Sequence, residues 1–412
     1  MLAFPPNNTS VQSLFKRWPR LGFVFSVAVC STLIFVLSWS FPAEDARHPN
    51  AYPLSQVPDH VCDAPGSTVS SHHSPAASAN TIPNIVHYVW MVKDPAAEFH
   101  LGFKIFITFY SSHLFFRPDR IYIHTDASRG TFEEAKANGD VWTKRVLAIP
   151  GVTPNFVTTP MVTSKGVEIS RLEHRSDFVR LAALLEFGGI YLDMDAIPLR
   201  DVTDLRHSGF ANVVGGNFAL TVKGSGYITN GVMLAKPHST MMKIFSKAAD
   251  EFFDGGWVTS SVVLLTDLAN RISAIPSEVL ILQPNAFTPT SYELEDEKTI
   301  FKPHFQTPPQ VASGELPQEL PTGERGLSAA TCQGALAWLK ERERKGSVED
   351  WEIDFSSSYV LHASDDYVER IWGWDQKIDL RYILARQSNF ARAVYPAIRH
   401  AVKEGIIPQD EM

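Results

Sequence analysis

The chain has 412 residues, 44% of them hydrophobic, and a formal net charge of −8 at pH 7. That length suits one large domain or two modest ones with a substantial core. The negative balance and the lack of a basic tract exclude a nucleic-acid binder that works through phosphate contacts.

Leu21 to Phe41 is a run of about 20 residues without a charge, enough to cross a bilayer. Lys16, Arg17 and Arg20 precede it, and Glu44 and Asp45 follow. The positive-inside rule then puts the N-terminus in the cytosol and the bulk in a lumen. Residues 1–20 are expected as a cytosolic tail, 21–41 as a transmembrane signal anchor and 42–80 as a flexible stem rich in Pro, Ser, Ala and His. A cleaved signal peptide is the alternative, because Ser38 and Ser40 are small residues before a potential cleavage point. Cys62 and Cys332 would both be luminal, where a disulfide is permitted; their pairing stays open. No Cys-x-x-Cys occurs, which argues against a zinc ribbon.

Order is expected from residue 81. Strands at Ile85–Trp90 and Arg120–His124 alternate with helices over Phe99–Phe115 and Thr131–Asn138. This alternation points to an α/β layer with a mostly parallel sheet. An amphipathic helix begins near His174, with Ser176 or Asp177 as its cap and Phe178, Leu181, Leu184 and Leu185 as its buried stripe. Gly188 and Gly189 stop it. Ile190, Tyr191 and Leu192 form a short strand, and Asp193 and Asp195 continue it. Their i, i+2 spacing turns both carboxylates to one side, with Met194 toward the core. Ala211–Gly215 and Gly231–Ala235 read as strands, with Asn230-Gly231 as a turn before the second. Helices over His238–Phe253 and Ser260–Arg271 flank Gly255-Gly256-Trp257, and Val279–Leu282 is a strand. Residues 81–292 form the main domain, 293–330 a mobile insertion rich in Pro, Glu and Gln, and 331–412 a C-terminal part that completes the domain.

Two carboxylates on one side of a strand end suit a hard cation, Mn²⁺ or Mg²⁺, of the kind that bridges to phosphates. Asp177 and Arg180, three apart, share a helix face and offer one acceptor and one bidentate donor to a polyhydroxylated ligand. The plain alternative is a cap, a surface Arg and two solvated turn acids. The complete context in register favours the functional reading.

The run Ser176-Asp177-x-x-Arg180 followed by Gly188-Gly189-Ile190-Tyr191-x-Asp193-x-Asp195 resembles the sugar-binding region of DxD-containing glycosyltransferases. Glycosyltransferase family 32 is the closest class in pattern, and the large clostridial glucosylating toxins share the motif. The likeness extends to Ile82-Pro83-Asn84-Ile85-Val86-His87-Tyr88-Val89-Trp90 and to Asn230-Gly231-Val232-Met233-Leu234-Ala235, and covers about residues 80 to 300.

The resemblance implies a GT-A-like, Rossmann-like nucleotide-sugar fold and a retaining, metal-dependent hexosyltransferase. It implies a UDP- or GDP-linked hexose as donor and a glycan or glycolipid as acceptor. Asp195 would be the primary metal ligand. Asp193 would touch ribose or sugar hydroxyls and reach the ion, and Asp177 and Arg180 would fix the sugar. Substrate contacts are expected from His87, Trp90, Tyr191, Gly189, Asn230, Gly231 and Trp372. Trp90 reads either as a base-stacking ring or as a core Trp, and Asp126 either as a ligand contact or as a turn cap. His362 is the candidate third metal ligand, with Asp365 and Asp366 as alternatives. Trp372 and Trp374 lie near where relatives place an aromatic over the diphosphate, but at a different spacing. No residue reveals a covalent nucleophile, so front-face attack is the default. Anchor and family together imply a single-pass type II protein of the Golgi or another secretory-pathway membrane. Two rivals remain. One is a membrane-anchored sugar-nucleotide-binding or complex-organising subunit without turnover. The other is a glycoside hydrolase, for which Asp193 and Asp195 lie too close to flank a bond.

Overall fold

The computed structural model describes residues 81–222, 225–290, 294–306, 351–353, 355–364 and 377–408, with isolated positions at 58, 60, 333, 336, 337 and 340. The proposed tail and anchor, Cys62, Cys332, Asp365, Asp366, Trp372 and Trp374 lie outside the described residues. Among the described residues, no helix is long and apolar enough to cross a membrane.

Seven strands build the central sheet: β1 (Ile85–Trp90), β2 (Arg120–Thr125), β3 (Val152–Phe156), β4 (Gly189–Leu192), β6 (Asn212–Val222), β7 (Ser225–Ala235) and β8 (Val279–Leu282). β5 (Ala196–Pro198) and β9 (Val360–His362) form a separate two-stranded sheet. The order of the large sheet is β3-β2-β1-β4-β7-β6-β8. β1 pairs in parallel with β2 and with β4, β2 with β3, and β6 with β8; only β7 runs antiparallel to its neighbours. The expected α/β layer with a mostly parallel sheet is present. Strand order reverses at β1, with β2 on one side and β4 on the other. In such sheets the crevice beyond the carboxyl ends of these strands is where ligands bind.

The helices are α1 (Phe103–Ser111), α2 (Arg129–Asn138), α3 (Val141–Ala148), α4 (Leu172–Phe187), α5 (Thr203–Arg206), α6 (Thr240–Phe252), α7 (Leu264–Ile272), α8 (Leu294–Phe301), α9 (Leu380–Ala385) and α10 (Asn389–Lys403). They cover both faces. Val86 and Tyr88 of β1 join Ile190, Leu192, Val232 and Leu234 in a core under α1 and α10. Val89, Tyr191 and Met233 face the other way, under α4, α6 and α7. This is the period-two alternation of strands buried on both faces.

Some elements differ from expectation. α4 starts at Leu172, close to the expected position, but Arg171 precedes it at the cap position and Asp177 lies inside the helix. Tertiary partners described below hold that carboxylate and override its local preference for a cap. Asn230 and Gly231 sit within β7 rather than in a turn before it, because pairing of β7 with β6 continues past them to Ser225. The expected loop from residue 293 contains α8, whose Ile300 and Phe301 are buried, Phe301 against Phe390 of α10 at 4.8 Å. α3 and β3 were not foreseen. Asp140 caps α3 by accepting from Trp142 and Thr143 backbone N–H groups, and β3 carries Pro154 at the edge of the sheet.

Candidate functional site

Gly188 and Gly189 end α4 as expected and have positive φ, 63° and 105°. A Cβ on Gly188 would lie 2.5 Å from Pro237, and one on Gly189 only 2.4 Å from the Ile85 carbonyl. The turn can therefore bring β4 hard against β1 only with glycine in both positions. β4 then delivers Asp193 beyond its carboxyl end, beside the end of β1 that carries Trp90.

Asp193 and Asp195 do not lie on an extended strand. They flank a tight turn between β4 and β5, in which Ala196 N–H donates to the Asp193 carbonyl at 3.0 Å. Thr108 of α1 holds the tip by donating to the Met194 carbonyl at 2.9 Å. The carboxylates still converge, but by the turn and not by strand alternation. Met194 packs against the core as expected.

His362 reaches this turn through β9. Its pairing with β5 sets Ala196 opposite His362, and Ala363 N–H donates to the Asp195 carbonyl at 3.0 Å. His362 Nε2 lies 3.0 Å from Asp195 Oδ1 and 3.6 Å from Asp193 Oδ2. Ligand atoms of Asp193, Asp195 and His362 all fall within 4.8 Å of one another. Burial works against the His362 charge, yet Asp195 outweighs it and raises the proton affinity of the ring above its usual value. Burial alone would also raise Asp195; the adjacent His362 and the nearby Lys104 charge hold it down at about 2.

Arg180 organises the other side. Its guanidinium is buried, with Nη1 3.1 Å from Asp193 Oδ1 and Nη2 3.2 Å from Asp177 Oδ1. Nη1 also donates to the Asn230 carbonyl at 2.9 Å, and the group lies 4.5 Å from the centre of the Tyr191 ring. Asn230 Nδ2 donates to Asp177 Oδ1 at 2.9 Å, and the Tyr191 hydroxyl donates to Asp193 Oδ1 at 2.5 Å. Asp193 Oδ1 is thus engaged twice, while Oδ2 is the oxygen turned toward His362. Burial pushes the Asp177 carboxyl up to about 6 in spite of Arg180.

Gly231 closes the floor. A Cβ there would lie 2.3 Å from His362 Cε1 and 2.6 Å from Asp193 Oδ2, so any side chain would enter the space between the ligand atoms. Two carboxylates and one imidazole around a space kept open by glycine fit a Mn²⁺- or Mg²⁺-type cation, and the imidazole favours Mn²⁺ of the two.

Of the residues expected here, Asp177, Arg180, Tyr191, Asp193, Asp195, Asn230, Gly231 and His362 come together. His87 does not. It is fully buried in β1, with Nδ1 2.9 Å from His124 Nε2 and Nε2 2.7 Å from the Gly188 carbonyl, so it braces the glycine turn and presents nothing to a ligand. Gly189 contributes its backbone conformation. Trp90 is partly buried and packs against the core at the end of β1. Asp126 takes the plainer of its two readings, accepting from the Val92 N–H at 2.9 Å. Sequence reasoning missed Thr108 and Lys104, which α1 brings to the site from outside every motif.

Residues 100–211 match the family model described as glycosyltransferase sugar-binding region containing DXD motif. The "Glucan organizing enzyme 1" of Cryptococcus neoformans var. grubii is 27% identical over 223 residues, covering 52% of this chain and 56% of that protein. The chain thus spans little more than half the length of this curated relative. Among solved structures, PaToxG glycosyltransferase aligns at 14% identity and a TM-score of 0.33, over 48% of this chain and 71% of that one. The glycosyltransferase GlyE of Streptococcus pneumoniae aligns at 13% identity and a TM-score of 0.30, over 49% and 46%. The matched segment contains Asp177, Arg180, Asp193 and Asp195, and over it the chain is similar to the sugar-binding region of DxD-containing glycosyltransferases.

Proposed function

We propose that the protein transfers a hexose from a UDP- or GDP-linked donor to a glycan or glycolipid acceptor. The observation that carries this reading is the convergence of Asp193, Asp195 and His362 around the space left by Gly231. These three residues would hold Mn²⁺ or Mg²⁺, which when bound supplies positive charge to the diphosphate that departs with the nucleotide.

The chain's own residues prepare that chemistry. Arg180 and Tyr191 fix Asp193 through one oxygen and leave the other for ligation. Asp195 keeps its negative charge far below neutral pH, as a ligand for a hard cation must. Asp177, with its carboxyl near 6 and partly accessible, is the group placed to meet a sugar hydroxyl. Nη1 and Nη2 of Arg180 are engaged by Asp193, Asp177 and the Asn230 carbonyl, so its role is to position the two carboxylates. A GT-A-like fold, retention of configuration and front-face attack are what the family resemblance supports. The name of the Cryptococcus relative favours a glucan among the acceptors. A single-pass type II location in a secretory-pathway membrane rests on the charge pattern around Leu21–Phe41.

The test is donor turnover by the purified full-length chain against a panel of nucleotide sugars, with and without Mn²⁺ and with a chelator. Hydrolysis or transfer of one donor that stops on chelation supports the reading. Nucleotide-sugar binding without turnover of any donor would turn it into the non-catalytic subunit.

A further inference from the structure

The buried side of α1 is apolar and aromatic, built from Phe103, Phe106, Ile107, Phe109 and Tyr110. Thr108 stands among them with 1% exposure. A β-branched hydroxyl side chain is an indifferent helix former, and a hydroxyl so buried needs a partner. The helix offers one, the carbonyl four residues back, and the Lys104 carbonyl lies 3.3 Å from Thr108 Oγ1. The shorter contact, 2.9 Å, crosses to the Met194 carbonyl in the turn between β4 and β5. A hydroxyl has a single proton to donate, and these distances give it mainly to Met194.

Main-chain bonds hold the rest of that turn. Asp193 N–H donates to the Gly231 carbonyl at 2.8 Å, Ala196 N–H to the Asp193 carbonyl at 3.0 Å and Ala363 N–H to the Asp195 carbonyl at 3.0 Å. Any sequence can supply such bonds. The bond to the Met194 carbonyl comes instead from a side chain, and it falls on the residue between the two carboxylates. α1 is a firm base for it: Phe109 stacks on Tyr88 of β1 at 4.1 Å, and the Tyr110 hydroxyl lies 2.8 Å from His400 Nδ1 of α10. Rotation of the Met194 peptides would swing Asp193 and Asp195 apart or together and away from His362. Metal–ligand distances are set to within about 0.2 Å, so a small rotation is felt in affinity.

We infer that Thr108 is a positioning residue for the cation site. Its hydroxyl fixes the residue between Asp193 and Asp195, and so sets the separation of their carboxylates without touching the ion. A hydroxyl that served only its own helix could be exchanged for the isosteric Val with no loss at the site. This rests on the cation-dependent transferase reading above.

The experiment uses the full-length chain and four variants. Wild type against Thr108→Val, and Thr108→Ser against Thr108→Ala, are two pairs of matched shape that differ by the hydroxyl. Tyr110→Phe removes a bond from the same helix without reaching the turn. Three quantities are measured: Mn²⁺ affinity by calorimetry, melting temperature, and donor turnover over a range of Mn²⁺ concentrations. Thr108→Val should weaken Mn²⁺ binding by about tenfold, as for groups that orient a metal ligand, and its turnover should recover as Mn²⁺ is raised. Thr108→Ser should bind Mn²⁺ nearly as the wild type does, and Thr108→Ala as weakly as Thr108→Val. Tyr110→Phe should lower the melting temperature and leave Mn²⁺ affinity unchanged. Wild-type Mn²⁺ affinity in Thr108→Val, or equal weakening in Tyr110→Phe, would overturn the positioning role. If Thr108→Val does not fold, the Ser and Ala pair decides in the same way. If the wild type turns over no donor, the transferase reading fails while Mn²⁺ affinity still decides the role of Thr108. A wild type that binds no Mn²⁺ removes the cation site and this inference with it.

Discussion

Arg180 and Asp193 form an ion pair, buried Nη1 to partly exposed carboxylate Oδ1 at 3.1 Å, that divides the labour of one carboxylate. One oxygen is held by the helix and by Tyr191; the other is left to the His362 side. The pair ties α4 to the turn after β4, so the donor-set geometry depends on a residue that would touch no metal ion.

Removing the guanidinium should therefore harm stability as well as chemistry. Arg180→Ala would strand Asp177 and Asp193 without their shared partner. Both carboxylates are partly exposed and keep Asn230 and Tyr191, so the loss should be about 1–3 kcal/mol, that of a polar group left without its partner. Chemical denaturation should show this as a lower midpoint. Arg180→Ala with wild-type stability and reduced turnover would instead mean that the guanidinium serves the substrate.

Asp195→Asn keeps the shape of the turn and removes a hard anionic ligand. Turnover should fall by about a hundredfold or more, with unchanged far-ultraviolet circular dichroism. Near-normal activity with Mn²⁺ would show that Asp195 is not a ligand.

Gly231→Ala tests the open space directly. The added methyl would collide with His362 and Asp193, and overpacking of this kind costs about 1–3 kcal/mol. Mn²⁺ binding by calorimetry should weaken far more than nucleotide binding measured without metal. Equal Mn²⁺ affinity in the variant and the wild type would refute the role of Gly231.

His87 and His124 predict an acid-sensitive brace. Burial lowers His87 to about 4, and burial with the neighbouring His87 lowers His124 to about 3. Both rings are neutral in the folded protein while the unfolded chain binds protons below about 6.5. Their contribution is fully present above that pH and is lost as pH falls from about 6.5 toward 4. His87→Gln, which keeps an N–H donor for the Gly188 carbonyl but does not titrate, should flatten the decline of melting temperature over that window. An unchanged slope would mean that other groups set the acid sensitivity.

Local chemistry alone made much of this protein legible. The helical spacing of Leu181 and Leu184, the double glycine and the apolar run Ile190–Leu192 are signals contained in neighbouring residues, and each became the element it announced. The DxD pair was readable because it follows the double glycine and the apolar strand in register, where two acids alone would read as solvated turn residues. What sequence could not supply was any contact between segments far apart in the chain. His362 was one candidate among three acidic or basic groups, and only the β5–β9 pairing placed its ring against Asp195. Asp177 read as a cap because Asp favours helix starts, but Arg180 and Asn230 hold it inside α4. His87 lies in the motif strand yet packs inward, because a strand buried on both faces has no solvent side to betray direction. Tertiary packing decided these matters, since burial and charge pairing depend on neighbours that one-dimensional order does not name.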